Sequence, residues 1–422
     1  MRPSCDQPLP IGFVTQGEAA RPVEATAGFH RDAATWANYL ALALFSYFLF
    51  IQSNIIPFLR DEFALNYRMV SLHPAALAAG LIVCGLVGER VVARLGRRRA
   101  LALALTGICG GASLLGLART PVGTLFGCLL IGAPGGLTIV VVPATLAERH
   151  GANRAIALGE ANAACYAASL VAAVAIGLFV ACGDSWRSSL ALGVELAAVG
   201  VARYATGAGA APTPLRRAET GRLPAAYWAY WVTLFSVISL ESCTLLWGPE
   251  VLERVQGLSR PAAVTAAAAF SAAMLTGRIL TAPLLRRVTG RHLLLASLAL
   301  TLPGFLAYWG ARQPALSVAG LFVLGLGVAQ LYPLTLGFAI AAAGKLADAA
   351  TARASLASGV AILSMPMFLG ALADAAGLQR ACLLLPALTT ASGLCFVVAR
   401  RLDRRRERGR PASSLRATTT PG

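Results

Sequence analysis

The chain has 422 residues, of which 57% are hydrophobic and 13% charged, and its mean hydropathy of +0.67 is too high for a soluble protein of this length. A formal net charge of +17 would suggest a nucleic-acid partner in a soluble protein. Here the arginines stand between apolar runs, where such charges set membrane topology and meet lipid headgroups. We therefore expect a helical membrane protein without a nucleic-acid partner, since open sheets leave backbone groups unsatisfied in lipid.

The first 35 residues are polar and lack the short apolar core and cleavage pattern of a signal peptide, so we interpret residues 1–35 as a disordered cytoplasmic tail. Twelve apolar runs follow, and each is long enough to cross a hydrocarbon core of about 30 Å as a helix. The predicted spans are 36–59, 69–88, 100–118, 121–147, 155–182, 187–204, 224–248, 261–285, 292–310, 315–343, 354–374 and 379–399.

The predicted spans divide into two halves of six, residues 36–204 and 223–399. A polar linker rich in Pro and Gly, 205–222, joins the halves, and an arginine-rich tail, 400–422, follows them. Short sequences recur in the same order in both halves, which indicates a duplicated six-helix unit. The matching pairs are LGRRRALALAL and TGRHLLLASLAL, VPATL and YPLTL, and RAIALGEA and RASLASGVA.

Most of the 36 basic residues fall in the segments that lie on the same side as the two tails. By the positive-inside rule this bias places both termini in the cytoplasm. Only Lys345 is a lysine, a bias typical of GC-rich bacterial coding, so we expect a multi-pass protein of the bacterial inner membrane.

No catalytic or metal-binding motif stands out. The nine cysteines form no CxxC pair, the four histidines are scattered, and no GxSxG or Walker sequence is present. We therefore expect neither an enzyme nor a bound cofactor or metal. A polytopic membrane enzyme is the alternative from a different functional class.

The stretch from Gly88 to Leu105 places five arginines between two apolar runs. Twelve spans in two halves, both termini inside and a basic hairpin after the second span together resemble the major facilitator superfamily (MFS). The resemblance covers about residues 36–400. It implies an all-α polytopic membrane protein with 12 transmembrane helices in two pseudo-symmetric six-helix bundles, the MFS fold.

In that family the hairpin after the second span usually reads GxxxDRxGRR, in which an acid and an arginine hold the cytoplasmic gate. The RxGRR part of this motif matches residues 94–98, but Ala93 stands at the position of the acid. In an alternative register Glu89, one helical turn deeper, takes the place of that acid. The candidate gate residues of this hairpin are Glu89, Arg90, Arg94, Gly96, Arg97 and Arg98.

The second half contains a similar pattern. Gly277 and Arg278 resemble the GR that opens the matching gate hairpin, which continues to Gly290 and Arg291. Arg278 could instead neutralise an anionic substrate or pair with an acid in the membrane. The Gly-Pro signature of drug antiporters is absent from the fifth span, which weighs against drug antiport.

The resemblance also implies that spans 1, 4, 7 and 10 face a central cavity. Glu241 lies midway along span 7, where burial would favour the neutral carboxyl and suit it to carry a proton. The alternative is a structural Glu241 that bonds to a neighbouring helix. The cavity candidates are Tyr47, Gln52, Asn54, Glu241, Gln330 and Tyr332, and Glu241 is also the coupling candidate.

These features predict a monomeric secondary active transporter of a small solute, a permease that works by alternating access in the lipid bilayer. Proton coupling through Glu241 is a further hypothesis. The uncharged cavity candidates slightly favour efflux of an amphipathic compound. The missing antiporter signature favours uptake or facilitated exchange of a small polar metabolite.

Overall fold

The computed structural model of the protein describes residues 30–206 and 221–408, and these residues form helices without any strand. The rest of the chain lies outside the described residues: 1–29, 207–220 and 409–422. Most of the predicted N-terminal tail, the linker and the C-terminal tail therefore lie there.

Thirteen α-helices make up the described chain. They are α1 (Ala33–Glu62), α2 (Tyr67–Val70), α3 (Leu72–Leu117), α4 (Pro121–His150), α5 (Arg154–Ala181), α6 (Arg187–Thr206), α7 (Ala225–Arg254), α8 (Arg260–Leu285), α9 (Gly290–Gly310), α10 (Pro314–Ala343), α11 (Ala347–Ala376), α12 (Leu378–Ala381) and α13 (Leu384–Arg408).

Twelve segments of the described chain are long enough to cross a membrane, because α3 contains both the second and the third predicted spans. Eleven of them are also apolar enough by composition. The other is α6, whose 20 residues include Arg187, Glu195 and Arg203. The predicted all-α fold with twelve spans is confirmed.

The predicted basic hairpin is a sharp break between two helical stretches rather than a loop. Spans were expected to end at residue 88 and to resume at residue 100, but helical geometry continues from both sides up to Gly96. Gly96 has φ 75° and ψ 159°, a region that only glycine occupies without strain. The boundaries were wrong because arginine is a good helix former whose long side chain reaches the membrane surface from a helix.

Polar side chains fix where several helices begin. Asp32 precedes α1 and accepts a hydrogen bond from the Thr35 backbone N–H at 2.8 Å. The neighbouring Arg149 guanidinium also bonds to Asp32 and holds the pKa of its carboxyl below the ordinary value. This contact joins the start of α1 to the end of α4.

In both halves the third and fourth spans approach each other through glycine. A Cβ on Gly111 would lie 2.7 Å from the Ile131 backbone N of α4, and a Cβ on Gly304 would lie 2.4 Å from the Leu324 backbone N of α10. Contacts this short leave no room for any side chain. Small residues thus give the duplicated pairs α3/α4 and α9/α10 close backbone packing.

The two halves meet along four pairs of helices: α5 with α8, α1 with α7, α11 with α2, and α11 with α3. We call the end of the bundle where α1 begins the terminal end, and the end where α1 finishes at Glu62 the distal end.

Candidate transport site and gates

A tyrosine, a glutamate and an arginine meet where the two halves touch. The Tyr166 hydroxyl of α5 donates a hydrogen bond to Glu241 Oε1 of α7 at 3.2 Å. Arg278 Nη2 of α8 donates to the same Tyr166 oxygen at 3.2 Å, and its guanidinium lies 5.4 Å from the ring centroid. We call these three residues the central trio. One hydroxyl from the first half therefore joins two opposite charges of the second half.

The two charges of the central trio keep unused bonding capacity. No ion pair within 4 Å joins Glu241 to Arg278 in the described part of the chain, and Arg278 Nε is buried without a hydrogen-bond partner. Charged groups at membrane depth are costly unless they are paired. A proton would neutralise the charge of Glu241, and an anionic group would neutralise the charge of Arg278.

A small polar pocket adjoins the central trio on its distal side. The Ser169 hydroxyl of α5 bonds to the Ser271 hydroxyl of α8 at 2.7 Å, and Phe50 of α1 lies 6.0 Å from the Tyr166 ring. Helices α1, α5, α7 and α8 contribute its hydroxyl and amide groups: Ser53, Asn54, Ser169, Thr244 and Ser271. The pocket therefore offers uncharged hydrogen-bonding groups from both halves.

Two of the predicted cavity residues lie close to this region, and a third is buried with an unused hydrogen-bond donor. Asn54 lines the polar pocket, and Tyr332 lies within electrostatic reach of Glu241 and Arg278. Gln52 is 2% exposed, and its Nε2 has no partner among the described residues.

Tyr47 and Gln330 both use polar groups in contacts between helices, and their role in a cavity stays a prediction. The Tyr47 hydroxyl donates to the Ser189 carbonyl of α6 at 2.7 Å, which turns the side chain away from the centre. Gln330 donates through Nε2 to the Gly277 carbonyl and accepts from Thr281 at 2.7 Å. The amide group of Gln330 therefore bonds to two residues of α8 and joins α10 to that helix.

Two candidate gate residues of the second half, Gly277 and Arg278, make contacts within the bundle. Both lie inside α8, which continues for two more turns to Leu285. A Cβ on Gly277 would lie 2.4 Å from the Ala329 Cβ, so this glycine allows α8 and α10 to pack closely. Arg278 belongs to the central trio, in which it bonds to Tyr166. The gate role of both residues stays a prediction.

In the first-half hairpin, one of the candidate gate arginines pairs with an acid of α4. Arg97 Nη1 and Nη2 donate to the two Glu148 carboxylate oxygens, each at 2.6 Å. This bidentate pair places a carboxylate beside a hairpin that has Ala93 at the position of the motif's acid. The Glu89 side chain lies outside the described residues. The other candidates in this hairpin, Arg90, Arg94 and Arg98, are exposed.

The matching positions of the second half have a different environment. Gly290 begins α9, and a Cβ on it would lie 3.6 Å from Phe338 of α10. Arg291 is exposed and lies beside α13. Neither residue forms an ion pair with a carboxylate among the described residues.

A cluster of charges joins the two halves at the distal end. Glu250 Oε1 of α7, with a fully buried side chain, lies 3.0 Å from Arg60 Nη2 of α1 and 3.2 Å from Arg254 Nε. Arg254 Nη2 also donates to Asp61 Oδ1 of α1 at 2.9 Å, and Arg260 of α8 contacts the same carboxylate. The cluster balances three arginines with three acids. This distal charge cluster comprises Arg60, Asp61, Glu250, Glu253, Arg254 and Arg260.

A second contact across the halves lies beside the cluster. Asp374 at the end of α11 accepts hydrogen bonds from the backbone N–H groups of Tyr67 and Arg68 of α2, both at 2.9 Å. A carboxylate is stabilised by free backbone N–H groups at the start of a helix. Asp374 therefore connects the end of α11 to the first half.

The fold is shared with solved transporters. A bacterial homologue of the human lysosomal transporter Spinster, inward-facing and unoccupied, is 14% identical, covers 88% of this chain and 96% of its own, and has a TM-score of 0.66. A mutant of the nucleoside transporter NupG is 12% identical, covers 86% of this chain and 99% of its own, and has a TM-score of 0.69. A D-xylose-proton symporter is 16% identical, covers 87% of this chain and 96% of its own, and has a TM-score of 0.67. No curated protein matches the chain by sequence.

The family model described as Major Facilitator Superfamily matches residues 39–343, which is most of the chain. This match agrees with the twelve membrane-length segments and with the fold of the similar transporters. The chain belongs to the Major Facilitator Superfamily.

Proposed function

We propose that this protein is a secondary active transporter that takes up a small organic anion together with a proton. The observation that carries the proposal is the central trio, in which Tyr166 of one half bonds to both Glu241 and Arg278 of the other. Any proton or solute that changes one of these bonds also changes a contact between the halves. Binding is thereby linked to the movement of the halves in alternating access.

The chemistry of the trio supports co-transport of a proton and an anion. A proton on Glu241 removes the charge that strengthens its hydrogen bond from Tyr166. Arg278 then has no opposite charge nearby, and a guanidinium is well suited to bind a carboxylate or a phosphate. An anionic solute restores the charge balance, so the proton and the anion bind best together.

The charged trio also changes the sequence-based preference for efflux. That preference depended on uncharged cavity residues, whereas Glu241 and Arg278 provide two charges at the centre of the bundle. A D-xylose-proton symporter has the same fold, so this architecture is compatible with proton coupling. With the arginine bias placing both termini in the cytoplasm, we propose that the distal end faces outward across the bacterial inner membrane.

The test is transport by purified protein in liposomes with an imposed proton gradient. A panel of small carboxylates, sugars and nucleosides would first be screened for an increase in melting temperature. For a solute that binds, we expect the proton gradient to drive accumulation by the wild type. Glu241→Gln should lose this pH-driven accumulation but still exchange labelled for unlabelled solute, because exchange needs no net proton movement.

Glu195→Gln is the matched control, since Glu195 is a second acid within a span but lies exposed on α6. It should behave like the wild type. Arg278→Gln should remove both binding and exchange of anions. Full pH-driven accumulation by Glu241→Gln would contradict the coupling role, and unchanged anion binding by Arg278→Gln would contradict the proposed solute class.

A further inference from the structure

A groove lies between α9 and α13 at the terminal end of the second half. These two helices pack on each other and on other helices of that half, and their outer faces expose Leu306 and Leu394. The groove therefore opens towards the surrounding lipid. Four arginines and three apolar residues line it: Arg291, Leu295, Phe396, Val397, Arg400, Arg401 and Arg404.

The lining is arranged in two layers. Along α9, Leu295 follows Arg291 by four residues, so both lie on one face with the leucine one turn deeper in the membrane. Along α13, Val397 precedes Arg401 by four residues on a single face. The arginines thus form a rim at the membrane surface, and the apolar residues lie below it.

Among the described residues, few carboxylates lie close to the charges of this rim. Within the part of the chain that the structure describes, no carboxylate lies within 4 Å of Arg291, Arg401 or Arg404. Arg400 is 3.8 Å from Asp403, on its own helix. At the same end of the first half, by contrast, Arg97 is paired with a carboxylate.

The internal repeat explains the difference. Pro143 of VPATL matches Pro333 of YPLTL, and the same offset places Phe338 at the position of Glu148. Glu148 is the partner of Arg97, whereas Phe338 lies under the Arg400 guanidinium at 5.4 Å. The second half therefore has an aromatic ring at the position of the acid that pairs with Arg97 in the first half.

We propose that this groove binds an anionic phospholipid, with its phosphate on the arginine rim and the start of one acyl chain along Leu295 and Val397. Arginine binds phosphate oxygens in a bidentate manner, and basic pockets between membrane helices suit anionic headgroups. The apolar layer directly below the rim favours a lipid over a soluble phosphate, because only a lipid supplies an acyl chain there.

The test is native mass spectrometry of the full-length protein in detergent with added lipid. The variant Arg401→Gln/Arg404→Gln removes two charges from the rim. The control Arg286→Gln/Arg287→Gln removes two charges from the exposed turn after α8, outside the groove. Each protein would be titrated with phosphatidylglycerol, with phosphatidylcholine of the same chain length, and with inorganic phosphate.

We expect the wild type and the control to bind phosphatidylglycerol with similar affinity and to discriminate against phosphatidylcholine. The rim variant should bind phosphatidylglycerol about thirty-fold more weakly, since each arginine contributes about 1 kcal/mol near an anionic surface. Leu295→Trp, which fills the apolar layer, should also weaken lipid binding. Equal losses in the rim variant and the control would overturn the proposal, as would displacement of the lipid by inorganic phosphate at equal concentration.

Discussion

The distal charge cluster should hold the distal end closed, and Glu250→Gln tests this most simply. The substitution keeps the size of the side chain and removes only its charge. Glu250 is fully buried and bonds to Arg60 and Arg254, so the variant leaves the largely buried Arg60 without its main counter-charge. The closed arrangement of the two halves should lose stability relative to an arrangement that opens this end to water.

The expected loss of stability follows from the burial of the Glu250–Arg60 ion pair. Removing one partner of a buried ion pair costs about 3–5 kcal/mol. Asp61 remains 3.5 Å from Arg60, and Arg254 is 41% exposed, so the lower limit applies. A loss of about 3 kcal/mol shifts the equilibrium between closed and open forms about a hundred-fold.

The shift can be measured as the labelling rate of a cysteine in the polar pocket. Ser53→Cys places a thiol there, and Cys182→Ser removes an exposed native cysteine. In this background, Glu250→Gln should greatly accelerate reaction with a membrane-impermeant maleimide added from the distal side.

Glu62→Gln is the control, because Glu62 pairs with Arg187 at the same end but within the first half, at 2.7 Å. It should leave the labelling rate close to that of the parent. If Glu250→Gln labels no faster than the parent, or if both variants accelerate equally, the cluster does not close the distal end.

Two other substitutions test contacts of the described structure. Gly177→Val should accelerate the same labelling, because a Cβ at Gly177 of α5 would lie 1.8 Å from Thr265 Oγ1 of α8. The control Gly159→Val should not, because a Cβ there would have nothing within 4 Å. Equal labelling rates in the two variants would contradict a role for the close contact of α5 and α8. Gly96→Ala should lower the melting temperature through a strain of about 1–3 kcal/mol at its positive φ. The control Gly85→Ala, at an open helical position, should raise the melting temperature slightly. An unchanged melting temperature of Gly96→Ala would show that the break tolerates a side chain.

The helices could be predicted well because the signal for them is local. A run of apolar residues that spans the bilayer is visible without any knowledge of its neighbours, and most predicted span ends agree with the helix ends within a few residues. The exception at Gly96 has a local cause too, since arginines allow a helix to extend beyond the apolar run.

The sites were harder to predict because their partners are far apart in the chain. Arg97 and Glu148 are 51 residues apart, and Asp61 and Arg254 are 193 apart. Nothing near Arg97 in the sequence points to an acid at the end of α4. The acids and arginines at the ends of spans 1 and 7 are visible in the sequence, but only the packing of α1 on α7 brings them together.

The sequence shows only part of the central trio. Tyr166 stands in an alanine-rich span without a charged neighbour, so only its central depth distinguishes it. Gly277 and Arg278 resemble a hairpin motif, although Arg278 lies deep within its span. The depth of Glu241 predicts that it has a partner, because an unpaired carboxyl at the centre of a membrane is costly. The roles of Glu241 and Arg278 in transport stay predictions.

The most direct test of alternating access is a pair of distance measurements by electron paramagnetic resonance. One pair of spin labels would span the halves at the distal end, at Met69 and Ser259, and another at the terminal end, at Ala93 and Arg287, all exposed positions. With a transported anion at acidic pH, we expect the distal distance to lengthen while the terminal distance shortens. If neither distance changes under conditions in which the protein transports that anion, the account is contradicted.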